Sequence, residues 1–310
     1  RATIEDLKDI LANEWRVMEI IKNDLIEIKS KYPSPRKSEI SVDYGNIDDE
    51  DLIDREDVVI SITHSGYIKR LPVAEYKAQG RGGRGITAHR PKDEDYVEKM
   101  FVACTHDPIL LFSSKGKVYS IKGYEIPEAN RTARGRAVVN IVQLDQDEKI
   151  ETVLPVKEDG TGYLVMATEN GLIKKTSTEE FKRIPRNGKI AIKIQEEDRL
   201  ISVQFTTGED EILIASRFGK CIRFSEKDVR PTGRGSQGVR GMNLAKGDIV
   251  VDMLIVDKAQ DIFTLTSLGY GKRSKIEDYR LQSRGGKGIK AGVFNEKTGE
   301  LVNMKLVTDD

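Results

Sequence analysis

Arginine holds the third position of a seven-residue string that occurs five times in this 310-residue chain, at Arg81, Arg131, Arg186, Arg234 and Arg284. Two copies are nearly identical, QGRGGRG at 79–85 and QSRGGKG at 282–288. Three are degenerate: ANRTARG from Ala129, IPRNGKI from Ile184 and TGRGSQG from Thr232. A turn alone would keep its glycines, whereas this string keeps a cation. Guanidinium groups beside glycine-rich backbone suit phosphate contact, because arginine offers a forked set of donors and a loop without side chains lets N–H groups approach an anion. A nucleotide-hydrolase phosphate loop is excluded, since it needs GxxxxGK, then Ser or Thr, then a helix; here Ile86 and Ile289 follow the last glycines and the flanks are strand-like. Disordered RGG tracts also bind nucleic acid, but these strings are single insertions in a regular array. The plain alternative is a rim turn in which glycine supplies positive φ and the arginine is merely solvated.

The elements that carry the strings repeat with them. Each string starts thirteen residues after a glycine that closes a short apolar run, and these glycines (Gly66, Gly116, Gly171, Gly219 and Gly269) are separated by 50, 55, 48 and 50 residues. That period fits propeller-like arrays of four-stranded units. Every copy opens on a β-rich run (58–62, 109–112, 163–166, 212–214, 262–265) and turns at the glycine. A second strand follows, with basic residues at positions expected to face outward: Lys69 and Arg70, Lys174 and Lys175, Arg223, Lys272 and Arg273. The glycine-rich string is then a loop, and two more strand candidates come after it, such as 137–144 with 150–156 and 190–194 with 200–205. The expectation is an all-β, propeller-like ring with blades near 56–107, 108–158, 159–208, 209–258 and 259–310, whose closure would hide sheet edges. Five copies are visible, and the acidic end at 307–310 implies either an open ring or a sixth copy cut away.

Ahead of the array, Thr3 can cap a helix within 1–31, with Leu7, Ile10, Leu11, Trp15, Met18, Ile21, Leu25 and Ile28 at helical spacing. It should end before Pro33 and Pro35, and its stripe is expected to meet another helix outside the chain, or else its own domain. Residues 32–55 read as an acidic linker. Net charge is zero, yet residues 1–55 hold 9 Lys and Arg against 14 Asp and Glu, and the remainder holds 42 against 37. A basic excess gathered on one face is a stronger signal than the total. No run of eighteen apolar residues exists and the first residues lack a secretory apolar core, so the expectation is a cytoplasmic protein with no membrane partner. Cys104 and Cys221 read as packing residues, and His64, His89 and His106 have no clustered partners for metal binding or catalysis.

Equivalent positions around a ring would set the five arginines on one rim, with the second-strand cations on the same outer side. Duplex DNA bent over that rim would meet them in turn. Bending a few tens of base pairs costs on the order of 1–10 kcal/mol, which several counterion-releasing contacts can offset at low salt. Binding should be sequence-tolerant and strongly salt-dependent. A protein-binding propeller scaffold is the rival of another class, but WD and GH signatures are absent from the repeats.

QGRGGRG, preceded by LPVAEYKA at 71–78, resembles the signature box of the DNA gyrase A C-terminal domain family, written QRRGG, Arg or Lys, Gly. ITHSGYIKRLP (62–72), THDPILLFSSKGKVYSIKGYEIPEA (105–129) and SLGYGKRSKIEDYRLQSRGGKGIK (267–290) are similar to that domain too. The resemblance implies a β-pinwheel, normally of six blades, that wraps DNA. It assigns this role to Gln79, Arg81, Gly82, Gly83, Arg84 and Gly85, and by repetition to Arg131, Arg134, Arg186, Lys189, Arg234, Gln282, Arg284, Gly285, Gly286, Lys287 and Gly288. Gly80 stands where the family has arginine. The family implies a bacterial, nucleoid-associated enzyme in which this wrap presents a positively crossed DNA segment for negative supercoiling. Its other partners would be the rest of gyrase A and gyrase B in an A2B2 assembly, with ATP and Mg2+ used elsewhere in the enzyme. No catalytic residue and no cofactor are expected in this chain. The C-terminal domain of topoisomerase IV, with a degenerate box and decatenating activity, is the nearest alternative.

Overall fold

A computed structural model describes residues 1–34, 49–76, 95–145, 147–156 and 161–308. The chain forms two compact units, 1–49 and 50–310. In the first, the single expected helix is two: α1 (Ala2–Ala12) and α2 (Glu14–Lys31). Asn13, with φ −124° and ψ 100°, separates them, and Thr3 lies inside α1 rather than capping it. The apolar spacing runs through the break unaltered. The side chains that hold the break are polar: Arg16 Nη1 lies 2.9 Å from Asp6 and 2.6 Å from Asp9, and Asn13 Nδ2 donates to Asp9 Oδ1 at 2.7 Å. Leu7, Leu11, Trp15, Met18, Ile21, Leu25 and Ile28 are exposed.

The second unit is a ring of antiparallel β-sheets, one per repeat. The first repeat supplies β1 (Asp57–Thr63), β2 (Tyr67–Pro72) and β3 (Val97–Cys104). The second supplies β4 (Pro108–Ser113), β5 (Lys117–Lys122), β6 (Arg136–Ala137) and β7 (Ile150–Pro155). The third gives β8 (Tyr163–Thr168), β9 (Leu172–Ser177), β10 (Lys189–Ile190) and β11 (Leu200–Thr206). The fourth gives β12 (Glu211–Ser216), β13 (Lys220–Ser225), β14 (Val239–Arg240) and β15 (Val250–Ile255), and the fifth β16 (Asp261–Thr266), β17 (Gly271–Ser274), β18 (Ile289–Lys290) and β19 (Leu301–Val307).

The fourth strand of a sheet does not come from its own repeat. The sheet orders are β3-β1-β2-β6, β10-β5-β4-β7, β11-β8-β9-β14, β15-β12-β13-β18 and β17-β16-β19. Every two-residue strand that follows a string is therefore lent to the sheet of the preceding repeat. The expected long strands 137–144 and 190–194 are replaced by these short loans, the first running on into a 3-10 turn at Val138–Asn140. Among the described residues the fifth sheet has three strands.

Local chemistry sets the first hairpin of each repeat. Thr63, Ser113, Thr168, Ser216 and Thr266 end the first strands, and each hydroxyl accepts the backbone N–H four residues on at 3.1–3.2 Å. The reference glycine between them has φ of +75° to +84° in all five copies, a conformation that a Cβ disfavours. An acid before the last strand of the repeat ties down the same turn: Asp95, Asp198 and Asp248 accept from Ser65, Asn170 and Phe218 N–H at 2.9–3.0 Å.

The first strands of the second, third and fourth repeats, β4, β8 and β12, have apolar centres because both of their faces are covered, whereas β16 carries Asp261, Thr264 and Thr266 and exposes Leu265. On β4, Ile109 and Leu111 pack with Val58, Ile60 and Ile68 of the first repeat, while Leu110 and Phe112 pack with Leu164 and Met166 of the third. On β12, Ile212 and Ile214 face the third repeat and Leu213 and Ala215 the fifth. Alternation along a strand thus assigns residues to two neighbours, and neither face is left for water.

Glu226 shows what this burial demands of a charge. It is fully buried; Oε1 accepts from Gly208 and Asp210 N–H at 2.8 and 2.7 Å, Oε2 accepts from the Thr206 hydroxyl at 2.9 Å, and Lys175 Nζ lies 3.4 Å away. Glu226→Ala strands these donors and the ammonium, so it is expected to cost about 3–5 kcal/mol, measured as a fall in the urea midpoint. An unchanged midpoint would contradict this role.

Candidate nucleic-acid interface

Lys69, Arg70, Lys174, Lys175 and Arg223 face the next repeat, which corrects the expectation that they line an outer surface. Lys69, Lys174 and Lys175 are buried. The Lys69 ammonium donates to the carbonyls of Asn130, Arg131 and Ala133 at 3.1, 2.6 and 3.0 Å, all in the string of the second repeat. Lys174 donates to Ala191, Arg234 and Ser236 carbonyls, the last two in the string of the fourth repeat. Three donors thus meet three acceptors. The neighbouring position grips the 3-10 turn of the next repeat: Arg70 Nε donates to Ile126 O at 2.8 Å, Lys175 Nζ to Glu226 O at 2.9 Å, and Arg223 Nη1 to Ile276 and Tyr279 carbonyls at 2.9 and 3.1 Å. Sheets covered on both faces leave no solvent side, so a cation there must be neutralised by backbone. Lys272 and Arg273, in the three-stranded sheet, are exposed as expected, with Arg273 Nε 2.6 Å from Asp261.

The lysine latch holds the second and fourth strings, whereas Tyr119 and Ile222 stand at the equivalent position ahead of the third and fifth. The third-position arginine of a string lies over the 3-10 turn of the preceding repeat. Arg186 is exposed and Nη2 pairs with Glu125 at 2.8 Å; Arg234 Nε pairs with Glu180 at 3.3 Å. Arg284 reaches the same place but donates to carbonyls, Asp228 O at 3.1 Å and Arg240 O at 2.5 Å. Half-buried Arg131 acts electrostatically on Tyr76, the residue that ends the corresponding first-repeat turn. Sequence reasoning missed the acid that ends or nearly ends each of these turns, Glu75, Glu125, Glu180, Asp228 and Asp278. Its fixed offset before each string arginine was the available signal.

The remaining string residues divide between structure and surface. The Arg134 guanidinium stacks 3.6 Å from the centre of the Tyr67 ring, and Lys189 Nζ donates to Arg183 O at 3.0 Å. Gly285 N–H donates to Gly241 O at 2.8 Å and Gly286 O accepts Asn243 N–H at 2.9 Å, so both are spent on contact between repeats. Gly288 has φ +68°, and a Cβ there would lie 2.4 Å from Cys221 O, which makes glycine the condition for lending β18. Gln282 N–H donates to Arg223 O at 2.8 Å, while Lys287 is exposed. Gln79, Arg81, Gly82, Gly83, Arg84 and Gly85 lie outside the described residues. The lent strands add exposed cations that sequence reasoning passed over: Arg136, Arg240 and Lys290.

The matched residues of the chain, 57–104, 107–157, 162–207, 210–257 and 260–308, each fit the family described as DNA gyrase C-terminal domain, beta-propeller. The chain belongs to that family. The gyrase A proteins of Staphylococcus epidermidis ATCC 12228 and of Staphylococcus aureus COL are each 43% identical to it over 99% of this chain. The chain spans 35% of the length of those curated relatives. Among solved structures, a gyrase A C-terminal domain is 31% identical with a TM-score of 0.65, covering 82% of this chain and 84% of its own. A topoisomerase IV C-terminal domain is 26% identical with a TM-score of 0.71, covering 83% and 79%. Among the described residues of this gyrase-family domain, no helix is long and apolar enough to cross a membrane and no His, Cys, Asp and Glu group could hold a metal ion.

Burial, and then the nearby Arg234 charge, push the Lys174 ammonium down to about 8, against a smaller opposing pull from Glu180. The unfolded chain keeps this proton to about 10.5, so the folded state sheds it first. The fold is therefore stabilised by this group as pH rises from about 8 to 10.5, and that contribution is lost as pH falls through 8. A heteronuclear NMR titration of the lysine side chains is expected to find Lys174 changing charge near pH 8; a midpoint near 10.5 would contradict its burial against the string.

Proposed function

We propose that this domain binds duplex DNA along the rim of strings and bends the duplex around itself without reading base sequence. The observation that carries the proposal is the repeated station of the string arginine: Arg186, Arg234 and Arg284 each sit on the turn of the preceding repeat. Cations therefore recur once per blade on one rim, with Arg136, Arg240, Lys287 and Lys290 exposed beside them. Such spacing suits a polyanion that follows the rim, and among the described residues of this unit there is no α-helix to enter a groove. Gln79, Arg81, Gly82, Gly83, Arg84 and Gly85 of the first string belong to the same surface by the family pattern.

In the whole protein, the wrap presents a crossed segment to the rest of gyrase A and to gyrase B, in an A2B2 enzyme of the bacterial cytoplasm. Negative supercoiling is driven there by ATP and Mg2+ held in other parts of the enzyme. The exposed stripe of α1 and α2 is the face for that remaining part. A second reading, a topoisomerase IV domain specialised for decatenation, is favoured by the higher TM-score of that structure, 0.71 against 0.65. The two intact strings, at 79–85 and 282–288, favour gyrase.

Affinity is expected to rise with duplex length from about 10 base pairs, one helical turn, until the rim is covered, and then to level. Titrating duplex length at fixed salt measures this. Affinity independent of length would rule out wrapping.

A further inference from the structure

The rim cations are unequally prepared for phosphate. Around the third string, carboxylates already hold them: Arg186 with Glu125 at 2.8 Å, Lys182 with Glu179 at 2.6 Å, and Arg234 of the next string with Glu180 at 3.3 Å. Around the fifth string the pattern is reversed. Arg284 is held only by carbonyl oxygens, and Lys220, Arg240, Lys287 and Lys290 have no ion-pair partner among the described residues. Lys220 and Lys290 stand directly opposite one another in the β13–β18 ladder, with their side chains on one face. Like charges opposed in this way are unfavourable in isolation and are relieved by an anion lying over both.

A phosphate that meets an unpaired ammonium releases a condensed counterion. A phosphate that meets Arg186 also meets the charge of Glu125, and that repulsion offsets the gain. Binding free energy should therefore be concentrated at one end of the array of described strings. We infer, resting on the DNA-binding reading above, that Lys220, Arg240, Arg284, Lys287 and Lys290 form the anchor that the duplex occupies first among the described strings. Glu125 and Glu180 mute the third and fourth strings, so the duplex covers that stretch last and most weakly. The two glutamates are then specificity-setting residues: they grade the wrap without touching DNA favourably.

The test measures the salt dependence of affinity for a duplex of about 30 base pairs with the 310-residue chain. Lys287→Gln with Lys290→Gln is expected to reduce the log–log salt slope by about 2, at about 0.9 per lost contact. Arg186→Gln with Arg234→Gln, the two string arginines held by carboxylates, should reduce it by less than half as much. Glu125→Gln with Glu180→Gln keeps the hydrogen-bond acceptors and removes the charges, so it should bind more tightly and with a steeper slope, an effect that damage to the fold would not produce. Thermal melting of each variant checks folding. Equal slope losses from the two cation pairs, with no gain from the glutamine pair, would overturn the anchor while leaving rim binding intact. Failure of the unaltered chain to bind DNA would remove both.

Discussion

A lysine ammonium enclosed between two β-sheets has to find hydrogen-bond acceptors there, and in this domain all but one of those met by Lys69 and Lys174 belong to the next repeat. Lys69 and Lys174 each spend their donors on three carbonyls, at least two of which lie in a string. Charged hydrogen bonds contribute about 1.5–3 kcal/mol each, and an unpaired buried charge costs more than that. The string therefore cannot leave its path without exposing the ammonium to an apolar interface. Each latch fixes a loop whose own side chains make few apolar contacts. The same geometry delivers the following two residues as an outer strand to the neighbouring sheet. Position two of the hairpin adds a second latch to the 3-10 turn, through Arg70, Lys175 and Arg223.

Cations consequently serve two purposes that look alike in a sequence. Those of the second strand in the first, third and fourth repeats, Lys69, Arg70, Lys174, Lys175 and Arg223, are spent as connectors between repeats. Those of the strings and lent strands remain at the surface, where Arg186 is ion-paired and exposed and Lys287 and Lys290 are exposed without an ion-pair partner among the described residues. The glycines follow the same division. Gly288 permits a backbone contact that a Cβ would block, and Gly285 gives its N–H to Gly241, so these glycines hold repeats together. On the proposed reading, the side-chain cations of the described strings carry the attraction for phosphate.

Much of the fold was legible because a repeat within one chain compares itself. The reference glycines mark real left-handed turns in all five copies, and the continuous apolar runs are the strands buried on both faces. The family was legible from QGRGGRG and its neighbours. The orientation of Lys69, Lys174 and Lys175 was not, because period-two alternation identifies a face and cannot tell whether water or another blade covers it. Strand lending was hidden for a similar reason: Arg136–Ala137 and Lys189–Ile190 are two residues long, too short for any periodic signal, and their partners are about seventy residues away in sequence. The break at Asn13 escaped because it rests on Arg16, Asp6 and Asp9, which lie off the apolar stripe.

Lysine latches hold the second and fourth strings, and Arg186, Arg234 and Arg284 each sit on the turn of the preceding repeat; on the proposed reading a stiff polyanion gains by curving over them. The most direct measurement is of DNA topology. Nicked circles ligated with increasing amounts of the chain bound, then freed of protein, report by their linking number whether the path of the duplex was curved in a chiral sense. The account predicts a linking-number change that grows with bound protein and shrinks as salt rises. Saturated binding with an unchanged linking number would contradict it.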